Sequence, residues 1–147
     1  MTKRAPSVFV DTNVFVYLRD SRDPLKQARC AEWMRYLWDS HAGRISSQVL
    51  QEYYVTVTAK LNPGLPTEDA RDDVMALRSW SPHAVDIDLI ESAWEIQDRW
   101  GFSFWDCLIV AAAKAEGCET LLTEDLSHGQ SLDGLRVVSP FEEAPPG

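Results

Sequence analysis

Ser7-Val8-Phe9-Val10-Asp11-Thr12-Asn13 is the stretch whose reading decides the fold, because an apolar run of β-branched and aromatic residues ends abruptly on a carboxylate. Parallel strands covered on both faces read as continuous apolar runs, and ligands of open α/β sheets gather beyond the carboxyl ends of those strands. Asp11 stands at such an end. It also has a local explanation, since Asp and Asn favour helix N-caps and Val14, Phe15 and Leu18 continue at helical spacing. The weight of Asp11 therefore depends on whether other carboxylates stand where local structure does not want them.

Outward from this segment, short β-like runs alternate with longer stretches of helical periodicity, the pattern of an α/β domain with a mainly parallel sheet. Strands are expected at Val8 to Asp11, Arg44 to Ser47, Ala84 to Asp86, Glu119 to Thr123 and Arg136 to Val138. Helices are expected after Asn13 and over Pro24 to Ser40, Gln48 to Leu61, Glu68 to Trp80, Leu89 to Trp100 and Phe104 to Glu116. Asn62-Pro63-Gly64-Leu65-Pro66 reads as a helix stop and turn, with Thr67 as the next N-cap. Residues 1–141 are read as a single domain, and Glu142 to Gly147 as a frayed tail.

A chain of 147 residues, 45% hydrophobic and 25% charged, has enough apolar material for one folded core. Lys3 and Arg4 precede an apolar stretch, but Asp11 and Asn13 interrupt it and no small-residue cleavage pattern follows, which argues against a secretory signal. No apolar run approaches bilayer length, so no membrane association is expected. Cys30, Cys107 and Cys118 lack metal-ligand spacing and read as reduced thiols packed as small hydrophobes, which points to the cytoplasm. The net charge of -9 argues against a broad basic surface for nucleic acid while leaving room for a local basic rim.

Most acids have ordinary roles. Glu68, Asp69, Asp72 and Asp73 fall early in a helix, where negative charge meets the positive end of the dipole, and are expected to be solvated. Asp88 and Glu91 have capping-box spacing, and Asp20 and Asp23 flank a turn before Pro24.

A few acids resist such explanations. Glu52 lies beside Val49 and Tyr53 on the apolar stripe of its helix, near the end that follows a strand. Asp106 shares a face with Ile109, Val110 and Ala113, although Ser103 and Asp106 also have capping-box spacing. The run Ala111-Ala112-Ala113 lets that helix approach the sheet closely, and Gly117 suits its C-terminal cap. Glu124 and Asp125 follow Thr120-Leu121-Leu122-Thr123 as Asp11 follows the first strand. Adjacent residues point in different directions, so one of the pair faces the site, and spacing does not say which.

Val10-Asp11-Thr12-Asn13, the helical Glu52, Phe104-Trp105-Asp106-Cys107-Leu108-Ile109 and Leu122-Thr123-Glu124-Asp125 together resemble the acidic motifs of PIN-domain ribonucleases, and among these the VapC-type toxins of prokaryotic toxin-antitoxin pairs. The resemblance implies a three-layer α/β/α sandwich around about five strands. It implies Asp11, Glu52, Asp106 and Asp125 as catalytic and metal-binding acids, its Thr-x-Asp pattern selecting Asp125 over Glu124, with Thr12, Asn13 and Thr123 in support. It further implies RNA cleavage leaving a 5′-phosphate and a 3′-hydroxyl, a homodimer, and silencing by a cognate antitoxin protein.

Chemistry supports a metal at such a cluster, because neighbouring carboxylates cannot all stay ionised without a cation. Hard, oxygen-rich sites suit Mg²⁺ or Mn²⁺, which keep several waters and recruit phosphate oxygens. A phosphodiester is the fitting substrate. Candidate cations for RNA are Arg44, Lys26, Arg29, Arg35 and Lys60, most of them read as an ordinary charged face. Trp33, Trp94 and Trp100 read as core or oligomer contacts. His41, His83 and His128 show no ligand or nucleophile-base pattern. A haloacid-dehalogenase-type phosphatase would need an acid where Asn13 stands, and a nucleotide-switch ATPase would need a glycine-rich phosphate loop that is absent. The remaining alternative is a catalytically silent PIN-like module that binds RNA or protein.

Overall fold

A computed structural model describes residues 4–147. Five strands form one sheet in the order β2-β1-β3-β5-β4. They are β1 (Val8–Val10), β2 (Gly43–Arg44), β3 (Thr120–Leu122), β4 (Ser131–Leu132) and β5 (Leu135–Val138). All pairings are parallel except β4 with β5. The helices are α1 (Thr12–Leu18), α2 (Pro24–Ser40), α3 (Ser47–Val55), α4 (Thr67–Ala76), α5 (Ile87–Trp100) and α6 (Phe104–Ala115). Layered on the sheet, they complete the α/β/α sandwich expected from the sequence, and no described helix is long and apolar enough to cross a membrane.

The first strand is apolar throughout, as suits its place inside the sheet next to the middle strand β3. Val8, Phe9 and Val10 are buried between β2 and β3, which buries a continuous row on both faces. Ala111, Ala112 and Ala113 are buried in α6, whose small side chains permit the close approach read from the sequence. Ser103 caps α6 by accepting from the Asp106 amide at 3.2 Å, and Gly117 follows the helix at φ 69°.

Several local expectations are corrected. Ala84 to Asp86 is not a strand; His83 makes one isolated parallel bridge to Ser46, and Asp86 serves as the cap of α5, accepting from the Leu89 amide at 2.9 Å. That places the cap two residues before the expected Asp88. Thr67 is already inside α4, whose N-cap is Pro66. Asp73 is no solvated dipole acid: Arg19, the C-cap of α1, grips it through two nitrogens, at 2.9 and 2.6 Å, and the Tyr53 hydroxyl of α3 donates to it. Burial alone would raise its carboxyl, but Arg19 and Tyr53 together hold it below the usual range.

Two elements differ in kind. The helix expected through Leu61 widens after Val55 into a π-helical turn, Thr56–Lys60, a rare form that occurs mostly at functional sites. The β4–β5 hairpin was not expected. It turns on Asp133 (φ 54°) and Gly134 (φ 98°), the paired positive angles of a two-residue hairpin loop. The segment read as frayed is tied down at Glu143, whose carbonyl accepts from the Trp33 indole at 2.9 Å and whose carboxylate pairs with Arg136 at 3.0 Å. Trp94, read as core or oligomer contact, is 54% exposed.

Candidate acidic active site

Parallel pairing of β1 with β3 sets the site, because it lays the carboxyl end of one strand beside that of the other. Asp11 leaves β1 and caps α1, its Oδ1 accepting from the Thr12 amide at 2.7 Å. The capping reading of Asp11 therefore holds, and the same side chain stands at the carboxyl end of β1. Its other oxygen accepts from the Thr123 hydroxyl at 2.8 Å. That hydroxyl also accepts from the Asp125 amide at 3.0 Å and the Asn13 amide nitrogen at 3.1 Å. Thr123 is fully buried, so a single hydroxyl locks the end of β3 onto the end of β1.

Asn13 works as a bridge from the first turn of α1. Its Nδ2 reaches Asp125 Oδ2 at 3.1 Å and Asp11 Oδ2 at 3.4 Å, while its Oδ1 accepts from the Glu124 amide. Glu124 lines the same cleft but is already engaged. Its carboxylate takes the Tyr17 hydroxyl and the Lys26 ammonium, the latter at 3.0 Å. Of the adjacent pair, Asp125 is the acid joined to Asp11 through Asn13.

Glu52 comes from α3, one helical turn beyond Gln48. The Thr12 hydroxyl donates to Glu52 Oε2 at 3.3 Å and the Gln48 amide nitrogen to Oε1 at 2.6 Å. Gln48 also donates to the Trp105 carbonyl at 3.2 Å, so it ties Glu52 to the start of α6. Both partners are acceptors, which orients the amide and leaves its buried Oε1 without a hydrogen-bond partner. Gln48 was not singled out in the sequence; its spacing of four residues before Glu52 was the available signal. We expect Gln48→Ala to cost about 1–3 kcal/mol by deleting its hydrogen bonds to the Glu52 carboxylate and to the Trp105 carbonyl. A urea midpoint equal to that of the unaltered protein would contradict this.

Asp106 sits in the first turn of α6, half-buried, and its charge helps push the Asp125 carboxyl up. Burial is the larger cause for Asp125, opposed by the Asn13 hydrogen bond. Asp11 is only 5% exposed, and burial pushes its carboxyl to about 7 against the lowering effect of Thr123 and the Thr12 amide, with Asp125 and Glu52 adding repulsion. Among the described residues, no Lys or Arg forms an ion pair with Asp11, Glu52, Asp106 or Asp125. An all-oxygen, anionic donor set without a counter-charge fits a hard divalent cation. No three His, Cys, Asp or Glu side chains among the described residues converge enough to enclose an ion.

The other candidates take structural roles. Arg44 donates to the His41 and Gly43 carbonyls, Arg29 to the Pro140 carbonyl, and His83 pairs with Glu116 at 2.8 Å. His128 Nδ1 accepts from the Ser139 amide at 3.0 Å. All three cysteines are buried and free, and burial raises the thiols of Cys30 and Cys118 to about 12, so neither is a ready nucleophile.

The fold and these acids define a class: residues 8–129 match the PIN domain model, and the chain belongs to the PIN domain family. No curated protein shows significant similarity to it. Among solved structures, the chain is similar to VapC20 of Mycobacterium tuberculosis, described as a sarcin-ricin loop cleaving toxin, at 25% identity and TM-score 0.59 over 78% of this chain and 87% of that one. A toxin-antitoxin complex from Klebsiella pneumoniae matches with TM-score 0.64 at 19% identity, covering 91% and 98% of the two chains. VapBC2 of Rickettsia felis, bound to a DNA fragment from its promoter, matches with TM-score 0.61 at 19% identity over 90% and 97%.

Proposed function

We propose that the chain is a Mg²⁺- or Mn²⁺-dependent endoribonuclease and the toxin of a toxin-antitoxin pair. The observation that carries this reading is the Asp11 carboxylate, buried at the end of β1 without a cationic partner among the described residues and linked by hydrogen bonds to Thr123 and Asn13. A buried carboxylate left uncompensated is costly, which suits a group whose counter-ion arrives with the substrate or cofactor. Similarity to a toxin described as cleaving the sarcin-ricin loop supports RNA as the substrate.

Asp11 and Asp106 would hold the cation directly, Glu52 directly or through water, and Asp125 a second ion or an outer water. The bound cation supplies polarisation of the phosphodiester and a lowered pKa for the attacking water. Asp11 contributes a carboxylate kept in place by Thr123, the Thr12 amide and Asn13. Glu52, steadied by Thr12 and Gln48, would accept a proton from the attacking water. Products carry a 5′-phosphate and a 3′-hydroxyl. A homodimer and residence in the cytoplasm belong to the same reading, as does a cognate antitoxin covering the acids, the last supported by the toxin-antitoxin complexes among the similar structures.

A catalytically silent PIN-like module that binds RNA or protein is the second reading, favoured by the lack of three convergent ligands among the described residues. Cleavage assays separate the two. The nuclease should cut RNA in Mg²⁺ or Mn²⁺, stop in chelator, and leave new 5′ ends in transcripts after brief expression, with Asp106→Ala inactive. Equal cleavage by Asp106→Ala would discard this site, and no cleavage by the unaltered protein across varied RNAs would favour the silent module.

A further inference from the structure

The acidic cleft continues past Glu52. Glu52, Thr56 and Lys60 line it on one side, and the same three residues line a second groove of about 490 Å³ together with Trp105, Gln51 and Val55. The π-helical turn Thr56–Lys60 thus serves both spaces. Trp105 is 64% exposed, although indole is among the side chains that gain most from burial. It is not loose. Phe104 packs edge-on against its ring at 5.3 Å between centroids, and Gln48 holds its carbonyl while also holding Glu52. Lys60 forms no ion pair with a carboxylate among the described residues, unlike Lys26, which is engaged by Glu124.

An aromatic face, an unpaired ammonium and side-chain amides side by side are the combination by which proteins hold unpaired nucleotides, the ring stacking on a base and the cation meeting the backbone. The groove's volume suits one nucleotide. An apolar peptide would find little complement in Lys60 and Glu52. We propose that this groove is a nucleobase subsite: the base next to the scissile phosphate stacks on the Trp105 indole, the adjoining phosphate meets Lys60, and Gln51 meets the base edge. The proposal rests on the ribonuclease reading above and sharpens it, because a base can stack there only if it is already unstacked in the RNA, as in a loop or single strand.

The test is binding of a fluorescein-labelled single-stranded RNA of about twelve nucleotides, followed by anisotropy in Mg²⁺ with Asp106→Asn as the non-cleaving background. Adding Trp105→Ala should weaken binding by about ten- to a hundredfold, and Trp105→Phe should restore it to within about threefold. Lys60→Ala should lower the slope of log affinity against log salt by about one. The Trp105→Ala loss should vanish when the RNA carries an abasic site at the stacked position. Unchanged affinity in Trp105→Ala, or an equal loss on abasic RNA, overturns the subsite. So does a loss accompanied by dissociation of a dimer in light scattering, which would make Trp105 a contact between copies. RNA binding that depends on Trp105 without any cleavage by the unaltered protein would remove the nuclease assignment and keep the subsite; cleavage indifferent to Trp105 would do the reverse. No RNA binding at all overturns both.

Discussion

Asp11→Asn is expected to abolish cleavage, by about a thousandfold or more, and in the same protein to raise thermal stability when divalent cations are chelated. The two effects share one cause. Asp11 is buried with a carboxyl pushed to about 7, largely by burial, with Asp125 and Glu52 adding repulsion. An acid whose pKa is raised on folding gives the folded chain a proton-binding site that the unfolded chain lacks. Its contribution is fully present below the unfolded value, about 4, and is lost as pH rises through about 7. Above that range the native state carries a buried charge whose cost is on the order of 2 kcal/mol after relaxation and hydrogen bonding. Asparagine keeps the shape and removes the charge. In chelator the melting temperature of the variant should exceed that of the unaltered protein by several degrees at about pH 8, and the gap should close toward about pH 4. A variant less stable at every pH would mean that Asp11 is held as a structural cap and carries no stored cost.

Trp33→Ala should be the most destabilising of the substitutions considered, losing about 3–5 kcal/mol. The ring is 2% exposed in α2, meets Tyr36 edge-on at 6.2 Å, and its indole N–H is given to the Glu143 carbonyl at 2.9 Å. Truncation therefore opens a cavity, deletes an aromatic pair and removes the indole bond that holds the C-terminal segment at Glu143. Trp33→Phe refills most of the space but strands the Glu143 carbonyl, and should lose about 1–2 kcal/mol. Urea unfolding monitored by far-UV circular dichroism reads both. A loss below about 1 kcal/mol for Trp33→Ala would show that the segment and the helix repack without the ring.

The parts of the fold visible in the sequence were those where one local cause acts alone. Val8 to Val10 is apolar at every position and lies centrally in the sheet; Ser103 and Gly117 bracket α6 where their capping chemistry says. Errors arose where two local causes competed. Val85 favours a strand, but Asp86 is committed to capping α5, and Thr67 lost its cap to Pro66. The β4–β5 hairpin escaped because Ser131–Leu132 is too short to show alternation, even though Asp133-Gly134 is a strong turn signal. At the candidate site, the acids stood out as charges in positions that packing disfavours. Of their supports, Thr12, Asn13 and Thr123 are legible only through the family resemblance, because the Thr123 hydroxyl matters only once β3 lies against β1; Gln48 is not legible, because its bond to the Trp105 carbonyl spans helices far apart in the chain. Asp73 shows the converse: an acid that local rules explain fully, yet which joins α1, α3 and α4 through Arg19 and Tyr53.

The pairing of β1 with β3 also sets a clock. Asp11 and Thr123 lie 112 residues apart, and β1 can gain its neighbour on that side only after the third strand has been made. At translation rates of roughly 5–20 residues per second, that separation corresponds to on the order of ten seconds. During that interval a nascent chain carries its first acid on an edge with no partner, and the cleft does not exist. Whatever chemistry the finished site performs is thereby withheld from the ribosome that is making it.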